Sequence, residues 1–148
     1  MLQSIMMGCV GGQRAMTPIA TVAVAAARGE LRHDGTAARL LGHPLVAAGA
    51  VALAAAEMAG DKMKSAPDRI VPIGLAARFV TSAIAGAALA PPRQRPAAAL
   101  AAGLVSLGAS WLGWRARMAA MRRHDRVTTG ALEDALVLGS ATAVMRMA

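Results

Sequence analysis

Aromatic side chains are nearly missing from this 148-residue chain, which has one phenylalanine, two tryptophans and no tyrosine. Sequence-tolerant nucleic-acid binding usually needs a series of aromatic rings on which bases stack. Phe79, Trp111 and Trp114 all lie in or beside apolar runs and cannot supply one. Cysteine is scarce too: Cys9 stands alone, which excludes an intramolecular disulfide and leaves the redox compartment open. Charged residues make up 16% of the chain, against about 25% in an average soluble domain. There is no nucleophile elbow and no phosphate-binding glycine loop. His33, His43 and His124 are isolated from one another and from Cys9. No catalytic residue, metal or cofactor is expected from these patterns.

What the chain has instead is hydrophobic length. Apolar residues make up 56% and the mean hydropathy is +0.48. They fall in blocks approaching the roughly 20 residues that cross a bilayer as a helix. Five blocks are visible, at about 2–27, 44–60, 70–90, 97–121 and 130–147. Alanine and glycine are poor strand formers, and the alternating ten-residue segments of a membrane barrel are absent. The expected fold is therefore all-α: a polytopic membrane helical bundle of about five segments, some broken or re-entrant, in one domain over 1–148. The first block lacks a basic leading region and continues past Arg14, which argues against a cleaved signal peptide. The net charge of +8 is scattered between blocks rather than gathered on one face. Such Lys and Arg residues suit anionic headgroups of a lipid bilayer, each contributing about 1 kcal/mol, and no nucleic-acid partner is expected. The two sets of loops carry similar numbers of Lys and Arg, so the positive-inside rule gives no firm orientation.

The informative residues are charges inside these blocks: Arg14, Glu57, Arg78, Glu133 and Asp134. Each costs about 2.5–3.5 kcal/mol at a helix centre on insertion scales, so such groups persist when paired, hydrated or turned toward a protein interior. Arg14 sits in the run GGQRAMTP. Pro18 has no N–H for the Arg14 carbonyl, so the helix is expected to open there, with Gly12 just before the break. Discontinuous helices of this kind form solute sites in transporters. Glu57 and Asp61 are four apart and share a helical face. Pro67, Asp68 and Arg69 follow, then Pro72 and Gly74 loosen the entry to the third block, with Arg78 about two turns inside it. Gly74, Arg78, Ser82 and Gly86 recur every four residues. Gly103, Ser106, Ser110 and Gly113 form a second small-residue stripe of the kind that lets helices approach closely in lipid. Glu133 and Asp134 are read as opening the last block, where acids favour a helix N-terminus. Adjacent acids point about 100° apart, so one is free to pair with Arg14, Arg78 or Arg115. A short echo, GQRAM at 12–16 against GWRARM at 113–118, is the extent of internal repetition.

Three motifs occur in order: G-x-R-x-x-T-P (Gly12, Arg14, Thr17, Pro18), E-x3-D-K-x4-P-x-R-x2-P-x5-R (Glu57, Asp61, Lys62, Pro67, Arg69, Pro72, Arg78) and the Glu133–Asp134 pair. Together they resemble the small bacterial integral membrane family designated domain of unknown function 4126, over nearly the whole chain. The resemblance implies a bacterial inner-membrane protein and assigns no activity.

Two functions follow as expectations. In the first, a transporter or channel-like protein passes a small anionic or proton-coupled solute. Arg14 and Arg78 then bind it, Glu57, Asp61, Glu133 and Asp134 are their partners or proton carriers, and homo-oligomerisation completes the pathway. In the alternative, a structural or assembly protein uses the same charges as interhelical salt bridges.

Overall fold

A computed structural model describes residues 1–32, 35–61, 71–123 and 125–147, and among these every regular element is helical. The elements are α1 (Leu2–Gln13), α2 (Met16–Ala27), α3 (Thr36–Leu41), α4 (Pro44–Gly60), α5 (Pro72–Ala88), a 3-10 turn (Pro92–Gln94), α6 (Arg95–Ala120) and α7 (Arg126–Arg146). Pro67 lies outside the described residues.

Local chemistry sets the ends of these helices. Pro44 and Pro72 are each the first residue of their helix, following extended His43 and Val71. A first-turn proline gives up an N–H that has no helical partner anyway. His43 adds a cap, its Nδ1 accepting from the Leu45 amide at 3.3 Å. Pro72 therefore begins a regular helix, and Gly74 is an ordinary half-buried residue of its first turn. The last helix corrects the sequence reading. It starts at Arg126, where the Asp125 carboxylate accepts from the Thr128 amide at 2.8 Å and the Thr128 hydroxyl at 2.6 Å. Those bonds, the hydroxyl's first, hold the Asp125 carboxyl below its ordinary range. Glu133 and Asp134 are thus two turns inside α7 and do not serve as its first-turn acids. The short α3, in the polar stretch before the second block, was also not anticipated.

The discontinuous pair α1–α2 is the axis of the fold. Helix α1 lies along α5 and α6, while α2 packs on α4, α5 and α7. Close approach is achieved with glycine. A Cβ added at Gly12 would sit 2.7 Å from the Ser106 carbonyl oxygen, and one at Gly86 would sit 2.9 Å from that of Ala98. Ser4 secures the same contact zone by donating to the Gly86 carbonyl at 2.9 Å. Small residues at these positions let the helix backbones approach closely.

Polarity departs from the usual pattern at particular residues. The core is mostly small and apolar (Ala23, Ala85, Ala102, with Met7 and Val22) yet it also encloses Arg14, Arg78, Arg117 and Asp134. Large apolar side chains face outward, Leu45, Ile73 and Leu136 being at least 71% exposed. One helix among the described residues, α6 with the 3-10 turn before it, is long and apolar enough by length and composition to cross a membrane.

Candidate functional site: the charged break in the central helix

At the break, the backbone of Arg14 is extended (φ −139°, ψ 120°). Helix α1 ends just before it and α2 starts two residues later. Pro18 is the third residue of α2 and completely buried, so the break lies ahead of the proline rather than at it. The proline still matters, because an imide there removes one of the four amides left without helical partners.

Two of the amides that remain are met by a side chain from another helix. Glu57, near the end of α4, accepts from the Ala15 amide through Oε1 and from the Met16 amide through Oε2, both at 2.8 Å. A carboxylate at a helix N-terminus is favoured by both the free donors and the helix dipole. Glu57 is therefore a cap supplied in trans. Among the described residues it is not paired directly with a guanidinium.

Arg14 itself is 1% exposed and reaches two further segments. Its Nε and one terminal nitrogen donate to Asp134 Oδ1 of α7 at 2.9 and 2.6 Å. The other terminal nitrogen lies 2.9 Å from Asp61 Oδ2, at the C-cap of α4. That same Asp61 oxygen is 2.5 Å from Arg117, whose nitrogen also donates to Glu133 Oε2 at 3.0 Å. One carboxylate oxygen thus bridges two guanidiniums. The result is a chain of charge from Asp134 through Arg14, Asp61 and Arg117 to Glu133. It ties the helix break to α4, α6 and α7. The planar donor fork of arginine makes such multiple engagement possible.

The structure brings together Arg14, Glu57, Asp61, Glu133 and Asp134. Arg78 is buried on α5, one turn from Ser82 and two from Gly86. Arg117 was missed: it lies inside the fourth block, at about 97–121, yet was grouped with the basic residues of the loop that follows. A signal for it existed: the stripe Gly103, Ser106, Ser110, Gly113 steps by three and four, and the next step is Arg117. Arg115, the arginine that the short echo aligns with Arg14, stacks on the Trp111 ring at 4.9 Å instead. Among the described residues, no three of His, Cys, Asp and Glu converge as a metal-binding set.

Two hydroxyls beside the break stand out. Thr17 Oγ1 in the first turn of α2 and Ser82 Oγ in α5 are completely buried and find no hydrogen-bond partner among the described residues. Ser82 lies against Gly11, where any larger residue would meet its hydroxyl. Buried polar atoms are normally satisfied, and exceptions call for a reason.

Comparisons with protein-family models, curated proteins and solved structures found no match.

Proposed function

We propose that this chain is a small polytopic protein of the bacterial inner membrane that passes a small anionic or proton-coupled solute through its charged centre. Kinship with the domain of unknown function 4126 family is part of this proposal and rests on the sequence motifs alone. The outward apolar side chains and enclosed charges support a lipid surround. Lengths are compatible: at 1.5 Å per residue, the 21 residues of α7 span about 31 Å and the 17 residues of α4 and of α5 about 26 Å. The hydrocarbon core is about 30 Å, and a shortfall of a few ångströms is met by local thinning. A homo-oligomer would supply the walls that so few helices cannot.

The observation that carries the transport reading is the pair of buried, unpartnered hydroxyls, Thr17 and Ser82, at the break of the central helix. They are groups that water or a solute would satisfy. Asp61 is the shared member of the network, since displacing it with a solute anion loosens two guanidiniums at once, while Arg14 keeps Asp134 and Arg117 keeps Glu133. A second reading, a structural or assembly protein, draws on a different observation: Arg14 is held on both sides by carboxylates at 2.6–2.9 Å and is almost fully enclosed.

Liposomes loaded with a pH dye separate the two. With potassium and valinomycin clamping the potential, and chloride, phosphate or acetate outside in turn, wild-type vesicles should acidify faster than protein-free ones with at least one anion. Asp61→Asn should remove the difference while the protein remains folded. Equal rates with all three anions would exclude their proton-coupled passage and favour the assembly reading.

A further inference from the structure

The two halves of the central helix end in one buried corner. A Cβ added at Gly11, in the last turn of α1, would sit 3.0 Å from the Pro18 ring of α2 and against the Ser82 hydroxyl of α5. Residues seven apart in an unbroken helix are separated by about 10 Å, so the chain turns back on itself at Arg14. The last turn of α1, the first turn of α2 and Ser82 are thereby brought together. Backbone oxygens lose their helical partners here. The last α1 carbonyl that keeps one is that of Val10, which accepts from the Arg14 amide at 3.2 Å. The amides four residues beyond Gly11 and Gly12 are those of Ala15 and Met16, and both donate to Glu57. Beside these carbonyls stand the buried Thr17 and Ser82 hydroxyls, without partners among the described residues.

We infer that this corner binds one sodium ion through Thr17, Ser82 and the terminal carbonyls of α1, and that the ion accompanies the solute; the second half rests on the passage proposed above. Charge selects a cation. The N-terminal end of α2, which favours anions, is already taken by the Glu57 carboxylate. What remains is the C-terminal end of α1, which carries about half a negative charge, and half-helix ends of this kind coordinate sodium in transporters. The Arg14 guanidinium is turned away to Asp134 and Asp61. The ligands select a monovalent ion. They are neutral hydroxyl and carbonyl oxygens, whereas calcium and magnesium sites draw on carboxylates.

The test is equilibrium unfolding of the full chain in mild detergent, with sodium chloride or choline chloride as the salt. At about 0.1 M of either salt, binding of sodium to the folded state alone should make the unfolding constant about tenfold lower than in choline. Thr17→Val and Ser82→Ala keep the shape of the side chain and remove one ligand each. In choline both variants should be at least as stable as wild type, since each deletes a buried hydroxyl that has no partner among the described residues. In sodium each should lose most of the stabilisation. Equal unfolding constants for wild type in the two salts, or full sodium stabilisation in either variant, overturn the inference. Sodium stabilisation in a protein whose vesicles show no anion-dependent acidification would keep the ion site and end the passage. Acidification by wild type, beside equal unfolding constants, would keep the passage and remove its ion.

Discussion

Arg14→Ala should destabilise the protein by about 3–5 kcal/mol, the usual cost of removing one partner from a buried ion pair. Against a total stability of about 5–15 kcal/mol, that threatens folding. The alanine removes two hydrogen bonds to Asp134 and the contact to Asp61. It also leaves room for water at the break. Arg14→Lys should not rescue it, because a single ammonium lacks the planar fork that serves Asp134 and Asp61 together. Arg14→Leu combined with Asp134→Leu should be less damaging than the two single losses added, with a coupling of about 0.5–3 kcal/mol, since apolar replacement of a whole buried pair is often tolerated. Equilibrium unfolding in a mild detergent, followed by helical circular dichroism, reads all five variants. A change of less than about 0.5 kcal/mol in Arg14→Ala, the range of ordinary surface substitutions, would mean that the pair carries no stability.

Glu57→Ala should cost about 2–4 kcal/mol. Hydrogen bonds to a charged acceptor contribute about 1.5–3 kcal/mol each, and Glu57 accepts two. The total falls below the simple sum because Glu57 is half-buried and water can replace part of it. Glu57→Gln is the sharper variant. Its amide oxygen can serve one backbone N–H, but its amide nitrogen then faces the other as donor against donor. The glutamine variant should therefore lose more than half of what alanine loses, although it keeps the shape of the side chain. Amide hydrogen exchange in the first turn of α2 should rise in both variants. Unchanged exchange there would show that Glu57 does not hold the second half of the central helix.

Parts of this arrangement were legible in the sequence. The bounds of α4 follow from Pro44 and the end of the apolar run, and the break near Arg14 follows from Gly12 and Pro18. Glu57 and Asp61 share a face because four residues make just over one turn. Other parts were hidden for physical reasons. Hydrophobic blocks mark where apolar residues stop, and helices need not stop with them. Thus α7 begins four residues before its block, at the Asp125 cap. That same error made Glu133 and Asp134 look terminal. The role of Glu57 was hidden in another way. Its partners are backbone amides on another helix, 41 and 42 residues away, and amides leave no trace in residue identity.

The central claim is that water or solute reaches the charged break from within a membrane-embedded bundle. Ser82→Cys in a Cys9→Ser background tests it most directly, because the substitution is nearly isosteric and the Ser82 hydroxyl has no partner among the described residues. Native membranes would be treated from each side with a small, charged methanethiosulfonate. The account predicts labelling of Ser82→Cys from at least one side, and no labelling at a cysteine placed at outward-facing Ile73. A folded, membrane-inserted Ser82→Cys protein that resists the reagent from both sides would contradict it, and would make the charges a sealed structural lattice.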